Sequence, residues 1–309
     1  MIASDLYLVE TPFQLLSAYE AIKRFGVPYR LLVRFTGVGR NDKQLQVLLS
    51  ELDVEVHAIL KVRKNSRLDL LRTILKQGHI GFLSHNRVFV GSHYSRVLMM
   101  LAKWIRKREL VLLDDGVATF LVQEELREIN KPVSLFTLFD LEPLPGQSVW
   151  KHSFEQLREK YKSNVEDIRV FIGQDLFTSE SISKEDYVRF LSILANGGMG
   201  QPFFYLPHRA EPDDVVEKIK EISGVTVVYP TSGIELFFLK RAKFPRSFYS
   251  VCSTAIFSLS ALFPEAKFYV LTPERYDSSK FVHWRAIETA LKKIPNVVFL
   301  DSVSEALSN

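Results

Sequence analysis

The sequence predicts an α/β protein built from two Rossmann-like domains, each a mostly parallel sheet. Short apolar runs alternate with helical stretches along the chain, which is the pattern of βαβ repetition. That alternation lapses over residues 117–165, where Pro132, Pro143, Pro145 and the turn Gly146-Gln147-Ser148 read as a connector. The 309 residues suffice for two domains of about 150 each. The domain boundary therefore falls near 150–168, giving domains over 1–160 and 161–309, whose sheets are expected to face each other across a cleft.

In the first half, Leu6–Val9 is a short apolar strand. Thr11 and Pro12 suit the N-cap and first position of a helix over 13–25, and Gly26-Val27-Pro28 stops it. Strands follow at 30–35, 54–60, 87–90 and 110–113, with helices at 41–51, 68–77 and 95–107 between them. In the second half, strands are expected at 169–172, 202–206, 225–229, 247–250, 267–271 and 297–300. Helices over 184–196, 213–222, 232–240, 253–263 and 282–293 separate them.

Composition narrows the class. Hydrophobic residues make up 47% and charged residues 25%, a soluble globular balance. A net charge of +4 is weak for this length and does not suggest a nucleic-acid partner. Cys252 is the one cysteine, so no disulfide framework is expected and a reducing, cytoplasmic setting is. No Cys/His cluster has zinc spacing. The first residues lack the pattern of a signal peptide, and no run approaches the ~18 apolar residues of a spanning helix. Two cationic, partly aromatic segments, Lys103–Arg108 and Lys240–Arg246, allow peripheral contact with the inner membrane surface or read as solvated faces.

The most informative stretch is Leu110-Val111-Leu112-Leu113-Asp114-Asp115-Gly116. A buried strand ends in two acids and a glycine that lets the chain turn. That edge of a parallel sheet is where open α/β folds bind ligands, although Asp-Gly is also ordinary turn chemistry.

In the second half, Gly173-Gln174, Ser232-Gly233, His208-Arg209 and Ser253-Thr254 lie at or near predicted strand ends and helix starts. The N–H groups of a helix's first turn suit a phosphate, and Glu235 is an acid that can accept from ribose hydroxyls. Each also has a plainer reading: a helix cap, a loop histidine, a solvated acid. Neither Gly-x-Gly-x-x-Gly nor a P-loop is present, which leaves a mononucleotide held by a helix end and side chains.

These motifs carry a family likeness. Asp114-Asp115-Gly116, then Tyr205-Leu206-Pro207-His208-Arg209-Ala210-Glu211, then Ser253-Thr254 follow one another in the order seen in bacterial sialyltransferases. The chain most closely resembles glycosyltransferase family 52, which includes lipooligosaccharide sialyltransferases. Thr11-Pro12-Phe13-Gln14-Leu15 is similar to that family's Thr-Pro-x-Gln-Leu segment, and Phe171-Ile172-Gly173-Gln174 to its Gly-Gln element. The chain departs from the pattern at Arg209, which stands where proline follows the family's histidine.

The resemblance implies a GT-B glycosyltransferase that moves sialic acid, with inversion and without a metal or other cofactor, from CMP-sialic acid to a galactose-type hydroxyl of a surface glycan. Asp115 is the implied base, with Asp114 the alternative, and His208 assists the departing nucleotide. Gly173, Gln174, Arg209, Ser232, Gly233, Glu235, Ser253 and Thr254 form the implied donor site. Gln14, Ser92 and His93 are expected toward the acceptor. Another CMP-activated acidic sugar, such as Kdo or a different nonulosonate, fits the same motifs, as does a non-catalytic nucleotide or carbohydrate-binding module. A homodimer is compatible with the sequence and not read from it.

Overall fold

The computed structural model describes residues 4–63, 69, 72, 84–130, 132–177, 180–197, 200–208, 210–251, 253–273, 277 and 284–300. The chain divides into two compact units, Met1–Lys160 and Tyr161–Asn309. The helix expected over 68–77 and the side chain of Arg209 lie outside the described residues.

The first unit holds a seven-stranded sheet. Its elements run β1 (Ser4–Val9), α1 (Pro12–Phe25), β2 (Tyr29–Phe35), α2 (Gly39–Glu51), β3 (Ala58–Lys61), β4 (Ser84–Val90), α3 (Arg96–Trp104), β5 (Arg106–Leu113), α4 (Ala118–Glu128), β6 (Ser134–Thr137), β7 (Val149–Lys151) and α5 (Glu155–Lys160). The strand order is β3-β2-β1-β4-β5-β6-β7, and every pairing is parallel.

The second unit holds a six-stranded sheet. Its elements are β8 (Asn164–Ile172), α6 (Lys184–Asn196), β9 (Phe203–Leu206), α7 (Asp213–Lys220), β10 (Val225–Val227), α8 (Ile234–Leu239), β11 (Lys243–Ser250), α9 (Ala255–Leu262), β12 (Lys267–Leu271), α10 (Trp284–Leu291) and β13 (Val297–Leu300). The order is β10-β9-β8-β11-β12-β13, again all parallel.

Both sheets reverse their strand order once, between β1 and β4 in the first and between β8 and β11 in the second. Loops leaving neighbouring strands at such a point diverge to opposite faces and open a crevice at the carboxyl ends, where doubly wound folds take their ligands. The central strands are apolar because helices cover both faces. Leu6, Tyr7, Leu8 and Val9 are all fully buried, and Tyr7 stacks on Phe89 with ring centroids 4.4 Å apart.

Several sequence expectations shift. Helix 95–107 ends at Trp104, because Arg106–Glu109 pair with β4 and lengthen β5. The charged start of that strand hides it from a hydrophobicity reading. The connector over 117–165 is in fact α4, β6, β7 and α5. In α4 the buried positions Thr119, Val122, Gln123 and Leu126 follow a helical period, but no side chain caps its start. Strand β6 is four residues long and two of them are polar, Ser134 and Thr137, which hides the alternation. The strand expected at 54–60 is confined to Ala58–Lys61. Strand β11 begins at Lys243 and includes Pro245, where its pairing with β8 shifts register; a strand proline is tolerated at such an irregularity. Among the described residues, no helix is long and apolar enough to cross a membrane.

A charged pair lies inside the first unit. Arg87 of β4 donates to Asp5 of β1 with Nη2 2.6 Å from Oδ2, and its guanidinium sits 3.7 Å from the ring centroid of Phe25. Asp5 is fully buried. Asp5→Ala strands that cation without its partner, and is expected to cost about 3–5 kcal/mol. Urea denaturation of the first unit measures it; a loss below about 1 kcal/mol shows that water reaches the guanidinium.

Candidate functional site

The acidic turn closes β5 of the first unit, and Gly116 turns it in the left-handed region at φ 64. The two acids separate sharply. Asp114 is fully buried. Its Oδ1 accepts from Thr137 Oγ1 at 2.6 Å and Thr119 Oγ1 at 3.2 Å, and its Oδ2 accepts from the Leu138 N–H at 2.6 Å. His152, itself buried, places Nε2 3.6 Å from Oδ2 and stacks on Phe136. Asp114 therefore points into the interior of the first unit, with both carboxylate oxygens engaged. Asp115 stays half-buried and receives Gln14 Nε2 on Oδ1 at 2.8 Å. Thr119 Oγ1 also accepts from the Asp115 N–H at 3.2 Å, so one hydroxyl joins the two acids.

A small pocket lies against Asp115. Aliphatic side chains of Leu112, Leu113, Val122 and Leu135 form its walls, with His93, Tyr94 and Thr119. His93 Nε2 is 3.9 Å from Glu125, whose other oxygen accepts from Tyr94 at 2.8 Å. Of the residues expected toward an acceptor, His93 lines this pocket. Ser92 is buried, and Gln14 is 1% exposed with both ends of its amide engaged. The sequence reading missed Glu10, which leaves the end of β1 at the order reversal. It accepts from Arg34 at 2.6 Å and from Ser95 at 2.9 Å.

In the second unit Gly173 and Gln174 follow β8, His208 follows β9, Ser232, Gly233 and Glu235 lie between β10 and the first turn of α8, and Ser253 and Thr254 follow β11. A Cβ on Gly173 would stand 2.6 Å from Glu211 and 2.8 Å from the Tyr205 hydroxyl, so the end of β8 needs glycine for space. Glu211 joins the loops. It accepts from Tyr205 Oη at 2.5 Å, from the His208 N–H at 2.6 Å and from the Gln174 N–H. The Tyr205 hydroxyl also meets that of Tyr187 at 3.2 Å. Burial pushes the Glu211 carboxyl up to about 7, against the pull of those hydrogen bonds. Tyr205 and Glu211 were legible as part of a motif, but the motif did not show that they hold each other. His208 Nδ1 accepts from the Ala210 N–H at 3.3 Å, so a neutral ring carries its hydrogen on Nε2.

The other edge of this crevice is β11 and α9. Ser250 Oγ donates to the Ile172 carbonyl and accepts from the Ser253 N–H, which ties the α9 entry to the end of β8. Helix α9 starts at Ala255, two residues later than expected. Buried Ser253 accepts from the Ala255 N–H at 3.3 Å, while Thr254 is exposed and makes no side-chain cap. Glu235, in the first turn of α8, accepts from Ser258 of α9 at 2.7 Å, and burial pushes its carboxyl upward. Ser232 is buried with its hydroxyl 3.3 Å from the Gly233 carbonyl; Gly233 has an ordinary φ and room for a Cβ, so nothing there demands glycine. Among the described residues, no group of three or more His, Cys, Asp or Glu could hold a metal ion.

The fold these features define is GT-B, with two parallel-sheet Rossmann-like units. The chain is similar in structure to UDP-GlcNAc 2-epimerase of Methanocaldococcus jannaschii, at a TM-score of 0.58 and 10% identity over 99% of this chain and 91% of that one. It matches the Neisseria meningitidis UDP-GlcNAc 2-epimerase at 0.58 and 11%, covering 98% and 88%. The E. coli heptosyltransferase WaaC matches at 0.51 and 10%, covering 97% and 95%. At such identities the likeness establishes the fold. No family model and no curated protein sequence matches the chain.

The Glu211 contacts generate a pH prediction. Its proton is bound more tightly in the folded protein than in the unfolded chain, whose carboxyl titrates near 4.5. The stability this adds is complete below 4.5 and is lost as pH rises through about 7. The second unit is expected to lose up to about 3 kcal/mol of stability from this group between acidic and mildly alkaline pH. Glu211→Gln, which imitates the protonated acid, removes that component and leaves the one from Glu235. Urea midpoints across the range measure it; equal slopes in the two proteins exclude a raised Glu211.

Proposed function

We propose that the chain is an inverting, metal-independent glycosyltransferase that moves sialic acid from CMP-sialic acid to a galactose-type hydroxyl. The observation that carries the reading is the ordered motif set lying at the carboxyl edges of two parallel sheets. Asp115, the half-buried acid of Asp114-Asp115, belongs to the first unit. His208 and the Ser253–Thr254 helix entry belong to the second. The GT-B fold supports it, because the similar epimerase from M. jannaschii is described in complex with UDP-GlcNAc and UDP, and WaaC with an ADP-heptose derivative.

In this reading the acceptor oxygen attacks the anomeric carbon as Asp115 takes its proton. The new carbon–oxygen bond forms while the bond to the CMP phosphate breaks. Negative charge then grows on the phosphate, where the His208 Nε2 hydrogen and the Ser253 and Thr254 hydroxyls at the start of α9 lower its energy. Preorganised donors of this kind are worth roughly 3 kcal/mol each. Charge neutralisation comes from the protein, so the scheme calls on no cation and predicts turnover unchanged by a chelator.

The test is incubation with CMP-sialic acid and lactose, read by mass spectrometry. Gain of one sialic acid on lactose is expected. Transfer only from another CMP-activated acidic sugar moves the donor assignment to Kdo or a related nonulosonate, an outcome for which Arg209 is the motivating departure. Nucleotide binding with no transfer from any donor identifies a non-catalytic module.

Two substitutions test the roles. Asp115→Ala is expected to abolish transfer while CMP affinity, by calorimetry, stays within about threefold; retained turnover removes Asp115 from the base role. His208→Ala is expected to slow transfer at least ~100-fold, and a loss under about threefold refutes its part.

A further inference from the structure

We propose that Gln14 is the positioning residue of the acidic turn: its amide fixes one oxygen of Asp115 and leaves the other for the reacting hydroxyl. This rests on the transferase reading for its kinetic consequence, and on geometry alone for its structural one.

The amide has a single permitted orientation. Thr11 caps α1 by accepting from the Gln14 N–H at 3.3 Å. The Gln14 side chain returns to the chain before the helix, where Oε1 accepts from the Glu10 N–H at 2.9 Å. This is a capping box displaced by one residue, since the reciprocal bond normally ends on the cap residue itself. Because a backbone N–H can only donate, the atom facing it must be the amide oxygen. The NH2 group is thereby forced to the other side, where it meets Asp115 Oδ1 at 2.8 Å, 101 residues away in sequence. Among the described residues Oδ2 has no hydrogen-bond partner.

Gly91 supplies the space. A Cβ there would lie 2.3 Å from Gln14 Oε1 and 2.6 Å from its amide carbon. The φ of Gly91 is ordinary, and its N–H pairs with the Leu8 carbonyl at 2.8 Å, so the absent side chain answers the amide and not a turn. Gln14, Gly91 and Asp115 thus meet where β1 and β4 reverse the strand order, next to β5. A glutamine 1% exposed has no other ligand to serve.

The test uses the full chain with Gln14→Ala, Gly91→Ala and the double variant. Gln14→Ala is expected to lower kcat ~10–100-fold with both KM values within about threefold, and to move the carboxyl carbon resonance of Asp115 in labelled protein. Gly91→Ala is expected to disturb folding or the same resonance, and the double variant to recover stability without recovering rate, since the added methyl group fits the volume the amide vacated. Gln123→Ala, which removes a buried amide elsewhere in the unit, is the control and leaves the Asp115 resonance in place. If the unaltered protein transfers no sugar, the transferase reading fails, and the resonance alone decides the positioning. A Gln14→Ala protein that is folded and either keeps kcat within threefold where turnover exists or shows an unmoved Asp115 resonance overturns the proposal.

Discussion

A carboxylate without water organises the acidic turn. Removing Asp114 from solvent is costly unless its oxygens are fully engaged, and Thr119, Thr137 and the Leu138 N–H engage them. Those partners come from α4, β6 and the loop that follows it, so the turn is bound to two neighbouring elements at once. Its second acid, Asp115, is then held at the sheet edge through the shared Thr119 hydroxyl. One acid anchors and its neighbour is presented. The alternation of side chains at a strand's end makes this division nearly unavoidable for adjacent residues.

The second unit solves a related problem with a different balance. Glu211 is also buried, but its partners are Tyr205 of β9 and the His208 and Gln174 N–H groups of the loops at the carboxyl edge of the sheet. The carboxyl therefore joins two strand ends, those of β8 and β9, and is pushed toward neutrality by burial. The same contacts explain why Gly173 lacks a side chain: the acid occupies the place a Cβ would take. A glycine at the end of the first strand of a Rossmann unit is usually credited to a ligand's approach. Here the protein's own carboxylate already requires it.

Gly91 and Gln14 repeat that pattern in the first unit. In both sheets a strand beside the order reversal ends in a glycine against which a buried polar side chain from another segment is seated. The two sites have no sequence motif in common. The shared constraint is that polar groups at a crowded sheet edge must be paired, and pairing needs room.

The sequence by itself determined the class and most of the plan. Apolar strands such as Leu6–Val9, capped helices such as the one after Thr11, and short connections leave few alternatives to parallel βαβ units. It also brought Asp115, His208 and Ser253 to strand or helix ends, because strand length and glycine punctuation are local properties. Only the tertiary structure decided which way those side chains point and what they touch. Burial of Asp114, the seating of Gln14 on Gly91 and the Glu211–Tyr205 pair each depend on contacts between distant segments, which no local pattern encodes. The same reason hid α4, β6 and β7. Their polar or very short segments are stabilised by partners elsewhere in the sheet, and a strand such as β6 exists only because β5 and β7 pair with it.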